Sequence, residues 1–133
     1  MSNFQNPTGA SMPAENKERL VRLLAEHRVP LIEDDTYGEI FYAGSRPRPA
    51  KASDVDGGVL HCGSFSKCLA PGYRVGWAAP GRYAEKVQRL KLGLTLSTSL
   101  PAQLALEDYL AEADYDRHLK NFRATLRDGR DAM

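Results

Sequence analysis

Gly63-Ser64-Phe65-Ser66-Lys67-Cys68-Leu69-Ala70-Pro71-Gly72-Tyr73-Arg74-Val75-Gly76-Trp77 is the stretch on which the reading of this chain turns. A lysine follows two serines at the end of an apolar run, and an arginine follows it across a Pro-Gly turn. Taken alone, a lysine near serines is a solvated surface residue. Set between an apolar strand and a Pro-Gly-x-Arg turn, it suits an amine that meets an aldehyde, with hydroxyl and guanidinium donors at hand for a phosphate.

Outward from that stretch, the chain alternates between the two regular periods. Pro13 falls where a first helical turn tolerates it, and Glu15 to Arg28 then places Leu20, Val21 and Leu24 on one helix face. Pro30 ends that helix, and Pro30-Leu31-Ile32 leads into Glu33-Asp34-Asp35 as a short buried strand with an acidic exit. Residues 43 to 58, rich in Gly, Pro, Ser and Arg, read as loop. Gly58 to Cys62 predicts a second strand, and Arg74 to Ala79 a third, closed by Pro80-Gly81. Helices follow. Arg82 to about Leu96 sets Val87, Leu90 and Leu94 on one side, Pro101 opens a helix with Leu104, Ala105, Tyr109 and Leu110, and Asp114 is a cap for a basic helix from Tyr115. This order predicts α/β layering with largely parallel early pairing, the first helix covering one sheet face. Ligand-binding residues then gather at the carboxyl ends of the strands.

Bulk composition narrows the function classes. The 133 residues suffice for one modest core, and 42% hydrophobic with 26% charged residues is an ordinary globular balance. A net charge of +1 gives no case for a nucleic-acid or membrane surface. No apolar run approaches the ~20 residues of a membrane span. Cys62 and Cys68 cannot build a disulfide framework, so a reducing cytoplasm is expected. A zinc site from His61, Cys62 and Cys68 lacks paired ligand spacing, and no metal is expected. The abrupt start at Met1 to Gly9 and the stop inside a helix at Met133 suggest a piece of a larger polypeptide.

Four elements converge if the strands are neighbours: Asn6, the pair Asp34 and Tyr37, Lys67, and Arg74. Pyridoxal phosphate requires an amine, a carboxylate for its ring nitrogen, donors to its phenolate oxygen and a phosphate cradle. Lys67, Asp34, Asn6 with Tyr37, and Arg74 with Ser64 and Ser66 answer those needs in turn. Each has a plainer reading as well. Glu33-Asp34-Asp35 could be a solvated acidic corner or a magnesium site, although strand alternation aims Asp34 away from its two neighbours. Asn6-Pro7-Thr8-Gly9 could be merely a turn.

Taken together, Asn6-Pro7-Thr8-Gly9, Asp34-x-x-Tyr37, Ser64-Phe65-Ser66-Lys67 and Arg74-x-Gly76-Trp77 resemble the class I/II aminotransferases of fold type I. The flanking residues, from Asn3-Phe4-Gln5 to Glu33-Asp34-Asp35-x-Tyr37-Gly38-Glu39 and Phe65 to Gly72, are similar to the aminotransferase-like domain of MocR-type regulators of the GntR superfamily. The resemblance implies part of a large domain with a mostly parallel sheet, followed by helices. Residues 1 to about 98 would be the sheet and lysine-bearing core, and about 99 to 133 would be helices leading toward a small domain. It implies that Lys67 forms the internal aldimine and Asp34 pairs with the pyridine nitrogen. Asn6 and Tyr37 would contact the phenolate oxygen, while Ser64, Ser66 and Arg74 hold the phosphate. In a working transaminase, Lys67 would also shuttle a proton.

The resemblance further implies an amino acid or 2-oxo acid ligand, a homodimer, and DNA contact only through a winged-helix domain outside these residues. The upstream phosphate loop, the ring-stacking aromatic and the substrate-carboxylate arginine are not found here. Arg123, Arg127 and Arg130 read as a solvated basic face. Two functions stay open, a regulator's cofactor domain and a fragment of a stand-alone aminotransferase.

Overall fold

The computed structural model describes residues 1–42 and 44–133, so that Ala43, at the start of the predicted loop, lies outside the described residues. Helix α1 (Ala14–Glu26) leads to strand β1 (Leu31–Asp34), strand β2 (Val59–Ser64) and strand β3 (Gly76–Ala79). Helices α2 (Ala84–Thr95), α3 (Leu100–Glu112) and α4 (Tyr115–Asp131) complete the order. Short 3-10 turns occur at Ala50–Ser53, Pro71–Tyr73 and Gly81–Tyr83, the first inside the predicted loop. No helix among the described residues is long and apolar enough to cross a membrane.

Strands β1 and β2 pair in parallel, Leu31 opposite Val59 and Asp34 opposite Cys62, as the pattern predicts. Strand β3 instead runs antiparallel to β2, with Gly63 opposite Trp77 and Ser64 opposite Gly76. The reason is the connection. Only residues 65 to 75 join β2 to β3, short of the roughly dozen residues that a parallel crossover needs. Arg74 takes a left-handed backbone, φ 55°, at the end of that connection, so the strand begins two residues later than expected.

Alternation along the strands gives the sheet two unlike faces. Leu31, Glu33, Val59 and His61 face α1, where Val21, Ala50 and Val59 form a small core with Leu31 against it. Ile32, Asp34, Leu60, Cys62 and Ser64 face the other way, and Ile32 is 71% exposed there. Helix α1 stops at Glu26, two residues short of the prediction, because Arg28 turns left-handed at φ 56° before Pro30.

The carboxyl-terminal helices depart further from their patterns. Leu90 and Leu94, the predicted inner face of α2, are 56% and 82% exposed. In α3, which carries Pro101 in its first turn, Leu106 is the buried residue, while Leu104 and Leu110 are exposed. Asp114 caps α4 as expected, its carboxylate accepting from the Arg117 N–H at 2.9 Å. The arginines of α4 correct the reading of a wholly solvated face. Arg123 stacks over the Phe41 ring at 4.3 Å and Arg130 over the Tyr42 ring at 4.8 Å.

Candidate functional site

Parallel strands end at the same edge, so the turns after β1 and β2 are neighbours. That is how Tyr37 and Lys67 meet: the Lys67 Nζ lies 5.8 Å from the centroid of the Tyr37 ring. Lys67 is exposed, in a turn closed by the Leu69 and Ala70 N–H groups, which both donate to the Phe65 carbonyl at 2.9 Å. Asn6 and Tyr37 line one cavity of about 490 Å3, together with Phe4, Ile40 and Tyr42. A larger open groove of about 670 Å3 between α1 and residues 52 to 56 contains none of the seven candidate residues.

The anionic and cationic ends of the site are each held locally. The Asp34 Oδ1 accepts from both the Thr36 hydroxyl, at 2.5 Å, and the Thr36 N–H, at 3.0 Å. The Thr36 hydroxyl bond leads the causes that depress the Asp34 carboxyl below its ordinary range, against a partial burial that raises it. Asp34 is therefore a carboxylate, and it shares a sheet face with Cys62, whose thiol is raised first by burial and then by that charge. On the same face, the Ser64 hydroxyl accepts from the Ser66 N–H at 3.1 Å. Arg74 Nη1 donates to the Ser66 hydroxyl at 3.2 Å, which brings Ser64, Ser66 and Arg74 into one chain of contacts.

Beneath the sheet lies a buried ionic network that the sequence reading missed. Glu33 accepts from the Ala50 N–H at 2.7 Å, the Lys51 N–H at 2.9 Å and the Ser2 hydroxyl, with His61 Nδ1 at 3.1 Å. Burial alone would raise the Glu33 carboxyl, but the hydrogen bonds from His61, Ser2 and the two backbone N–H groups outweigh it and bring it to about 2. Asp35 accepts from Asn3 Nδ2 at 3.0 Å and from Arg46 Nη2 at 2.8 Å. Lys17 Nζ donates to Asn3 Oδ1 at 2.5 Å and to the Arg48 carbonyl at 2.8 Å, so its charge is met by two neutral acceptors, while Asp35 is ion-paired with Arg46. Burial lowers the Lys17 ammonium, partly opposed by Glu33 and Asp35.

Its consequence for the site is positional. The fully buried Asn3 belongs to the segment that carries Asn6, and Asp35 opens the turn that carries Tyr37. One buried bond thus ties both segments. Gly38 closes the same turn, donating to the Asp35 carbonyl at 2.9 Å; a Cβ there would stand 2.4 Å from the Asp35 carboxylate. The signal for this network was available in part. Alternation already set Glu33 and Asp35 on the face opposite Asp34, and Lys17 precedes Val21 by one helical repeat.

The profile of the family Aminotransferase class I and II matches residues 1–133, and this chain belongs to that family. It is 54% identical over 126 residues to the uncharacterized HTH-type transcriptional regulator YdcR of Escherichia coli, covering 95% of this chain and 27% of that protein. It is 36% identical to aromatic-amino-acid aminotransferase 1 of Thermococcus litoralis, covering 98% of this chain and 31% of that one. The structure superposes with a TM-score of 0.91 on the crystal structure of Pyrococcus horikoshii kynurenine aminotransferase, solved with PMP. That match has 34% identity and covers 98% of this chain and 32% of the other. The chain thus spans about 30% of the length of the proteins it matches. These residues form a mixed α/β segment of an aminotransferase-like domain, with HTH-type regulators among its relatives.

Proposed function

We propose that this chain is the pyridoxal-phosphate-binding, aminotransferase-like part of a MocR-type transcriptional regulator. In this reading residues 1 to about 98 are the core and about 99 to 133 lead toward a smaller domain. The observation that carries it is the 54% identity with an HTH-type regulator over nearly the whole chain. A cytoplasmic homodimer that meets DNA through a separate winged-helix domain is part of the same reading.

The donor set fits the cofactor. Lys67 offers an exposed amine beside Tyr37, Asp34 is ionised, and Arg74 with Ser66 forms a cationic, hydroxyl-bearing corner. When bound, pyridoxal phosphate supplies an aldehyde and an electron-withdrawing ring. Lys67 would hold the aldehyde through its amine, and the same amine would be the group to move a proton beside it. Asp34, with Oδ1 engaged by Thr36, would offer its remaining oxygen to the ring nitrogen and favour the protonated form of that nitrogen. The Asn6 amide and the Tyr37 hydroxyl, which line one cavity, would donate to the phenolate oxygen. Arg74 would hold the phosphate with its planar fork, helped by the Ser64 and Ser66 hydroxyls.

The second reading, part of a stand-alone aminotransferase, is favoured by the similarity to the Thermococcus and Pyrococcus enzymes. The two separate in one experiment on the full-length protein. Binding to DNA from its own promoter region, altered by pyridoxal phosphate or an amino acid, supports the regulator. Turnover of an amino acid to its 2-oxo acid without DNA binding supports the enzyme.

A further inference from the structure

Helix α4 lies across both turns of the site. His118 Nε2 stands 2.8 Å from the carbonyl oxygen of Cys68, the residue directly after Lys67. A carbonyl can only accept, so the imidazole must carry its proton on Nε2 and donate it. The ring is locked by its neighbours, stacked on Tyr115 at 6.2 Å and 12° and on Phe122 at 5.9 Å and 10°. Tyr109 of α3 meets it edge-on at 6.3 Å.

One turn earlier on the helix, the Tyr115 hydroxyl lies 3.2 Å from Cys68 Sγ, and its ring meets Phe65 edge-on at 6.4 Å. Burial, then the Cys68 contact, holds the Tyr115 hydroxyl well above its ordinary range, and burial raises the thiol too. Both groups are neutral, and the contact is a hydrogen bond between uncharged partners. Further along the same face, Arg123 donates to the Glu39 carbonyl at 3.3 Å and covers Phe41. The helix therefore holds the Lys67 turn at one end and the continuation of the Tyr37 turn at the other.

We propose that α4 is a clasp that positions Lys67, with His118 and Tyr115 as its positioning residues acting through Cys68. Movement of α4 then changes where the Lys67 amine sits relative to Tyr37. The proposal rests on the reading of Lys67 as the cofactor-binding lysine.

The test uses the full-length protein with Cys62→Ser, and reads Cys68 modification by a thiol reagent beside the pyridoxal phosphate concentration giving half-maximal borohydride-fixed adduct at Lys67. His118→Ala should speed Cys68 modification by about tenfold or more and raise that concentration several-fold. His118→Gln, whose amide can donate from a similar place, should restore both. Tyr115→Phe, which removes only the hydroxyl, should also speed Cys68 modification, and it serves if His118→Ala does not fold. Val21→Ala, a change in the small core beneath α1, controls for general destabilisation and should leave the adduct concentration unchanged. Unchanged Cys68 reactivity in both α4 variants overturns the clasp, as does a Val21→Ala effect on the adduct equal to that of His118→Ala. Absence of any Lys67 adduct in the parent protein overturns instead the cofactor reading beneath it, while Cys68 reactivity still reports whether α4 grips the turn.

Discussion

Lys67 Nζ stands 5.8 Å from the centre of the Tyr37 ring, although the two belong to turns after different strands. The parallel pairing of β1 and β2 makes this inevitable, since both turns leave the same sheet edge. At an exposed site such a cation–ring contact contributes only about 0.5–1 kcal/mol. It orients the amine without sequestering it, and a ligand aldehyde can compete for it.

Tyr37→Phe keeps the ring and removes the hydroxyl. Cofactor affinity should fall several-fold while the melting temperature stays within about 2 °C, as follows from the proposed role of the hydroxyl as a donor to the ligand. An absorbance titration with pyridoxal phosphate, beside a thermal melt, checks both parts.

Asn3→Ala removes one hydrogen bond from each of two buried charged groups, Lys17 and Asp35, which keep Arg48 and Arg46 as partners. The cost should be about 1–3 kcal/mol in urea unfolding, the loss expected for hydrogen bonds to charged groups. Cofactor binding should weaken as well, since the segment bearing Asn6 loses its tie to the Tyr37 turn. Unaltered urea unfolding would remove the network from the account.

Glu33 gives a pH dependence of known sign. Its folded value of about 2 lies below its ordinary 4.5, so its stabilisation is complete above pH 4.5 and is lost as pH falls toward 2. Glu33→Gln should destabilise at pH 7 by about 1–3 kcal/mol, because a carboxamide cannot accept all four of its hydrogen bonds, and the deficit should shrink through that window. Unfolding curves for both proteins from pH 7 to 3 measure it; a constant deficit would contradict the assignment.

Gly38→Ala should cost about 1–3 kcal/mol through overpacking, because its Cβ would fall 2.4 Å from the Asp35 carboxylate. That carboxylate is held by Asn3 and Arg46 and has little room to yield. Gly9→Ala is not an equivalent control, since Gly9 sits at φ 70°; Gly72→Ala, with nothing near its Cβ, should be close to neutral.

Local pattern made much of this architecture readable. Period-two alternation separated Asp34 from Glu33 and Asp35, and the structure keeps them on opposite faces, one exposed and two buried. Turn chemistry located Lys67 and Arg74, and the cap at Asp114 followed from residue type and position. What stayed hidden depends on partners distant in sequence. Nothing near Lys17 says that Asn3 and Arg48 will receive its ammonium, and nothing near His118 says that it will donate to Cys68. The direction of β3 was missed because strand pattern is blind to pairing sense, whereas connection length was the better guide. The bare faces of α2 follow the same logic: the period marks an apolar stripe but not what covers it.

The most direct measurement is peptide mapping of the full-length protein after pyridoxal phosphate and borohydride. A single fixed adduct on Lys67, abolished by Lys67→Ala and weakened by Arg74→Ala, is the predicted result. An adduct of the same yield in Lys67→Ala, or one spread over surface lysines, would contradict it.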